Sequence, residues 1–412
     1  MPLPSRLCAR TVEIADPGPL DALMGPGTSA AWIRHGDGMI GIGRAASFST
    51  RSADSLAEAE GWWHELGQRI DGDGARAFGA FTFDPAHTTR PSVLIVPELI
   101  IGRTGGSGWL TAIGPDPAAC PTLPGRLDPV APAGQVTFGD GALTSLQWES
   151  AVAAAVDKIQ TARSNGGGLD KVVLARDLIA LADAPIDQRR LVAALTREYT
   201  RCWTYAIDGL VGATPEMLIR RERGLATSRV LAGTIRRTGD DDHDLALAAA
   251  LSQSSKDLEE HEYAVASVAE ALTPFCSGTN VPDAPYVLAL PNVLHLATDV
   301  TAVADADATV LSMAGALHPS AAVCGTPTEQ ARRVIADLER MDRERYAGPV
   351  GWVDAHGDGE WGIALRCGQI SDADPRQIRL FAGCGIVAGS DPVAELAESN
   401  AKLVPMRDAV AG

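Results

Sequence analysis

The sequence predicts an α+β fold with an extensive core, on three observations. Its 412 residues are 46% hydrophobic and 21% charged, a globular composition on a chain long enough to bury a large core or two. Strand-length apolar runs and amphipathic helical stretches alternate without the strand–helix–strand rhythm that builds parallel sheets. No internal repeat is present, which excludes solenoids and propellers.

Residues 1–140 are rich in Gly, Pro and Ala and carry apolar runs of strand length, Ala77 to Phe83 and Val93 to Ile101, between Gly/Pro/Asp turns. This sheet-rich part is expected to belong to the same fold as residues 141–412, with the Pro- and Gly-rich stretch Pro115 to Gly141 as a loop at a soft boundary. From Leu146, Val152, Val156 and Ile159 recur at helical spacing until Asn165 and three glycines end the helix. A strand follows with Lys171 at its start, then a helix from about Gln188 to Tyr199 and paired strands near Trp203 to Asp208 and Leu210 to Ala213. A long helix is expected from about Asp242 to Leu272 and another from about Thr328 to Asp342. A hairpin from Gly348 to Ile370, a strand through Arg379 to Val387 and a closing helix from Asp391 complete the chain.

The formal charge of −17 is spread along the sequence, which argues against nucleic acid or an anionic membrane as partner, since both require a basic face. The N-terminal twenty residues lack the apolar core of a signal peptide, and no stretch reaches the ~18 apolar residues of a membrane span, so a cytoplasmic protein is expected. Seven widely spaced cysteines form no CxxC pair and no zinc-type cluster, and they read as reduced, mostly buried side chains. The 35 Lys and Arg include only four lysines, Lys158, Lys171, Lys256 and Lys402. Where Arg is the default cation, a retained Lys hints at a site needing a compact ammonium or an amine that can lose its proton.

Two charged stripes stand out. In the closing helix Asp391 and Pro392 make an N-cap and first-turn pair, which places Glu395, Glu398 and Lys402 at i, i+3 and i+7 on one face behind a glycine-rich turn. A second stripe, Lys256 to Glu262, includes Glu260. Spacing alone leaves both as solvated faces or as parts of a site. Carboxylates from two distant helices are the oxygen ligands that Mg²⁺ takes while keeping waters and room for an anion.

Ten segments in order, LDKVVLAR, GATPEMLIRR, LAGTIRR, SSKDLEEHEYAV, VLHLAT, LHPSAAVCGTP, DRERYAGPVGW, GDGEWGIALRC, LFAGCGIVAGSDP and ELAESNAKL, resemble the chorismate-using enzymes. That family includes isochorismate, salicylate, anthranilate and aminodeoxychorismate synthases. The resemblance covers about Asp170 to Lys402 and implies a large, mostly antiparallel β-sandwich flanked by helices, as in anthranilate synthase component I. It further implies that Lys171 is a general base activating water and Glu216 the general acid. Mg²⁺ would lie between Glu260 and Glu398, with Glu395 near, and hold the ring carboxylate of chorismate. Arg366 and Lys402 would neutralise substrate carboxylates beside Gly233, Thr234 and Gly383, while His295, Ala322, Val323 and Tyr346 line the pocket.

The chemistry fits these residue types. Water is a poor nucleophile and hydroxide a poor leaving group, so a base and an acid are both needed. A lysine acts as base only when neutral, which burial or neighbouring cations favour, and an arginine cannot replace it. Ammonia-using relatives lack the basic Lys or carry a nucleophilic Lys where this chain has Ala232. Lys171 with Ala232 therefore points to water as nucleophile, with no glutaminase subunit expected, and leaves isochorismate and salicylate synthases; the resemblance suggests a monomer that converts chorismate to isochorismate. Salicylate synthase, which adds pyruvate elimination in the same site, is the alternative. Salicylate synthases tend to carry Thr at the position of Ala322, so Ala322 followed by Val323 favours isochorismate as the released product. A non-catalytic homologue fits poorly, because every motif position expected for catalysis is filled.

Overall fold

Two sheets account for the strands. The computed structural model describes residues 3–4, 6–116, 122–125, 130–291 and 293–412, with all their side chains except those of Ala232, Lys256, Asp257 and Glu260. The larger sheet has 13 strands, running from Val136–Asp140 through Lys171–Ala182, Gln377–Ile386, Cys367–Ile370, Leu210–Thr214 and Trp203–Ile207 into Thr28–Arg34 and the N-terminal strands. The smaller has 10, from Cys276–Asn280 through Val293–Ala304, Leu225–Arg236, Met217–Glu222, Gly359–Ile363 and Pro349–Asp354 to Arg76–Ala80, Ser92–Val96 and Ala46–Thr50. Leu7–Ala15 pairs parallel with Ile70–Asp71. The neighbouring ladders that carry the site are antiparallel.

The two-residue period of the strands makes this a sandwich. Trp32, Tyr205 and Ile207 of the larger sheet join Phe78, Leu94, Val350 and Trp361 of the smaller in one buried cluster. Their chain neighbours Ala31, Ile33 and Ala206 point to the opposite face, where they meet Leu191 and Val192 of helix Gln188–Glu198 and Leu403 and Met406 of helix Pro392–Ala411.

Several sequence expectations are corrected in detail. The apolar run from Val93 to Ile101 is two strands, Ser92–Val96 in the smaller sheet and Leu99–Thr104 in the larger, with Pro97 between them. Proline lacks the N–H that a continuous ladder would need. The helix expected from Asp242 to Leu272 is split into Asp241–Gln253 and Ser255–Leu272. Ser254 adopts ψ 107, and its carbonyl accepts from Leu258 N at 2.9 Å as a new helix starts. The helix from Thr328 stops at Glu339, because Arg340 turns left-handed at φ 53. Within the expected Pro115–Gly141 loop, residues 117–121 and 126–129 lie outside the described residues, and Val136–Asp140 is a strand. Six cysteines are free, and Cys120 lies outside the described residues.

One structural device borders the site. The strand Lys171–Ala182 pairs with Gly325–Thr326 at its start and Val136–Asp140 at its end, which leaves an edge between them. Side chains fill it. Glu339 accepts from Ala175 N at 2.7 Å, Arg343 donates to Val173 O at 2.6 Å and to Val323 O at 2.9 Å, and Trp148 Nε1 donates to Ala175 O at 3.1 Å. Arg343 and Glu339 are themselves a buried ion pair. Buried backbone groups must find partners, and here a salt bridge substitutes for a strand.

Candidate active site

Places where the chain passes from one sheet to the other supply two of the site's charged groups. Strand Leu210–Thr214 lies in the larger sheet and Met217–Glu222 in the smaller, so Pro215 and Glu216 form the corner between them. Strand Gly359–Ile363 passes back to Cys367–Ile370 through Leu365 and Arg366. The corners are tied together: Ile363 N donates to Glu216 O and Ala213 N to Arg366 O, each at 3.2 Å. Arg366 has φ 49, a left-handed backbone costly for a side-chain-bearing residue and common at functional positions.

The other walls follow from strand register. Val173 faces Gly385 and Ala175 faces Gly383 across the ladder that Lys171 begins. A Cβ on Gly383 would stand 2.9 Å from Leu174 O and 3.0 Å from Tyr346 Oη, so glycine keeps this wall open. Tyr346 stacks on Phe381 at 5.2 Å between ring centroids. A bulge between Ala232 and Thr234, with Gly233 at φ 70, sets Thr234 opposite His295. Thr234 Oγ1 lies 3.0 Å from His295 Nδ1.

The closing helix completes the site as its start signals predict. Asp391 caps it by accepting from Ala394 N at 2.8 Å, with Pro392 in the first turn. Lys402 Nζ lies 2.7 Å from Glu398 Oε1 and donates to Gly383 O at 2.9 Å, which ties helix to strand.

These groups enclose one cavity of about 260 Å³. Lys171, Glu216, Gly233, Thr234, His295, Ala322, Val323, Tyr346, Arg366, Gly383, Glu395, Glu398 and Lys402 all line it. Glu260 is the exception among the expected residues: its backbone is in helix Ser255–Leu272, and its side chain lies outside the described ones. Sequence reasoning missed Phe381, Leu231 and Leu365 in the lining, and Arg343 and Glu339 behind it. Arg343 and Glu339 sit in a run of alternating charge that looks like a solvated surface, so burial was not signalled locally.

Burial sets the electrostatics. It raises the Glu216 carboxyl to about 7, against the opposing pull of Lys171, Lys402 and Arg366. Burial, with Arg366 and Lys402, lowers His295 to about 3, so its ring is neutral near pH 7. For Lys402 burial favours loss of the proton, but nearby anionic groups, Glu398 among them, outweigh it and the ammonium is stabilised. Among the described residues, no carboxylate forms an ion pair with the Arg366 guanidinium.

A buried carboxyl, an amine and fixed cations around a cavity of this size define an enzyme acting on a small anionic molecule. The chorismate binding enzyme model matches residues 132–411, and the chain belongs to that family. It is 40% identical over 257 residues to isochorismate synthase DhbC of Bacillus subtilis, a match spanning 60% of this chain and 64% of that protein. It is 36% identical over 344 residues to a putative isochorismate synthase MenF of Mycobacterium tuberculosis, covering 81% and 85% of the two chains. The solved structure of the menaquinone-specific isochorismate synthase MenF of Escherichia coli superposes with a TM-score of 0.81 at 26% identity, covering 100% of this chain and 96% of that one. Among the described residues, no helix is long and apolar enough to cross a membrane.

Proposed function

We propose that this chain is a magnesium-dependent isochorismate synthase that adds water at C2 of chorismate and expels the C4 hydroxyl. The observation that carries the reading is that Lys171 and Glu216 line one cavity together with Arg366 and Lys402. Lys171 takes a proton from the attacking water, and Glu216, kept protonated by burial, gives one to the departing hydroxyl. Arg366 and Lys402 bind the substrate carboxylates and offset the field of a chain of net charge −17. Ala322 and Val323 offer no hydroxyl to turn bound isochorismate toward pyruvate loss.

The ligand set for the metal is tested by the closing helix. Ligand atoms of Glu395, Glu398 and Cys384 lie within 4.8 Å of one another. Cys384 is buried, its thiol is held protonated by that burial, and it donates to Glu395 O at 3.4 Å, so the carboxylates are the ligands suited to a hard cation. Glu398 and Glu395, with Glu260 from helix Ser255–Leu272, would hold Mg²⁺. Bound there, the ion supplies a counter-charge to the ring carboxylate. Because water is the nucleophile, the enzyme works without an ammonia-supplying glutaminase; we also infer a cytoplasmic monomer.

Incubation of the purified protein with chorismate and Mg²⁺, followed by chromatography and salicylate fluorescence, tests this. The expected outcome is a plateau of two interconverting hydroxy acids, abolished by EDTA and by Glu398→Ala. Stoichiometric salicylate would identify a salicylate synthase instead, and full activity in excess EDTA would end the metal assignment.

A further inference from the structure

A second, smaller cavity of about 20 Å³ lies behind the acid. Glu216 and Ala322 line both it and the main cavity, and Ser320, Ser228 and Ser267 are among its other walls. The volume exceeds the ~10–15 Å³ that a single water needs. Ser320 Oγ is buried and has no hydrogen-bond partner among the described residues, and it belongs to the turn that carries Ala322 and Val323. Ser228 Oγ donates to Leu218 O at 2.7 Å and keeps lone pairs to accept with. Ser267, an exposed residue of helix Ser255–Leu272, is also among the residues that line the cavity, so only one residue separates the cavity from solvent on that side.

We propose that this side cavity holds a water bonded to Ser320 and forms the path by which Glu216 regains its proton. The inference rests on the function proposed above and follows from its proton balance. Each forward turnover forms a C–O bond to water, whose proton goes to the Lys171 amine. It also breaks a C–O bond, whose oxygen leaves as water carrying the Glu216 proton. The enzyme is left with an ammonium at Lys171 and a carboxylate at Glu216, and the cycle closes when Lys171 releases one proton to solvent and Glu216 takes one up. Substrate or product in the main cavity blocks that side of Glu216, whereas the side cavity stays open.

Two variants test the path: Ser320→Ala removes the relay hydroxyl, and Ser267→Leu plugs the surface end while leaving the core untouched. Rapid-quench measurement at saturating chorismate is expected to show an unchanged first turnover, a steady-state kcat several-fold lower, and hence a burst of isochorismate, with KM unaltered or lower. Wild-type kcat in both variants would overturn the proposal. So would a first turnover slowed as much as kcat, since that is the mark of a packing role. A wild-type protein that forms no isochorismate would remove the parent reading, an outcome distinct from either.

Discussion

A carboxyl group only 7% exposed, in a cavity that also holds Lys171, Lys402 and Arg366, is pulled in two directions. Desolvation favours its neutral form and the cations its charged form, and desolvation wins, placing Glu216 at about 7 against an ordinary value of 4.5. The sign for stability follows. The folded protein binds this proton more tightly than the unfolded chain, so the contribution is intact below the ordinary value and is lost as pH rises through about 7. A shift of this size corresponds to roughly 3 kcal/mol of destabilisation once the group is ionised. Glu216→Gln is therefore expected to melt higher than wild type near pH 8 and like it near pH 4, while losing about 10²-fold or more in kcat. A lower melting temperature at pH 8 would contradict the burial account. Lys171→Ala is expected to lose activity on the same scale, and Lys171→Arg as badly, since guanidinium cannot give up its proton. Rescue by Arg would make Lys171 an electrostatic contact.

Among the elements, the strand beginning at Lys171 depends most on distant residues. Its open edge is completed by Glu339 and Arg343, and Arg343 simultaneously fixes the carbonyls of Val173 and Val323 on the cavity wall. Removing one partner of a buried pair strands the other, so Arg343→Ala should cost about 3–5 kcal/mol in urea unfolding. A loss below about 1 kcal/mol would mean that water replaces the guanidinium. Little of this device was legible in the sequence: the segment LERMDRERY reads as solvated charge, and only the register of a strand about 170 residues away buries it. The closing helix was legible throughout, because Asp391, Pro392 and the Glu395–Glu398–Lys402 stripe are local signals. Its face gained meaning only from the family resemblance, since spacing alone does not distinguish a site from a solvated stripe. The break at Ser254 was missed because apolar periodicity runs on either side of it, while the serine ends one helix and begins the next.

At the scale of the molecule, the sandwich explains why acid and cations meet. Both sheets mix strands from before residue 115 with strands from after residue 135, and the chain changes sheets at Pro97, at Glu216 and at Arg366. α+β character was legible from mixed periodicities, but strand order was not, since pairings such as Ala206 with Ala31 join segments far apart in sequence. Placing two charged groups at tied corners fixes them on rigid elements while their tips face a common space. The proposed reaction, in which water adds on the Lys171 side and the hydroxyl leaves toward Glu216, fixes the origin of one oxygen atom. The most direct measurement is conversion of chorismate in ¹⁸O-enriched water, stopped early and read by mass spectrometry. The account predicts isochorismate carrying one solvent oxygen at C2 and no free pyruvate. An isochorismate with no solvent label, its hydroxyl passed within the substrate, would contradict it.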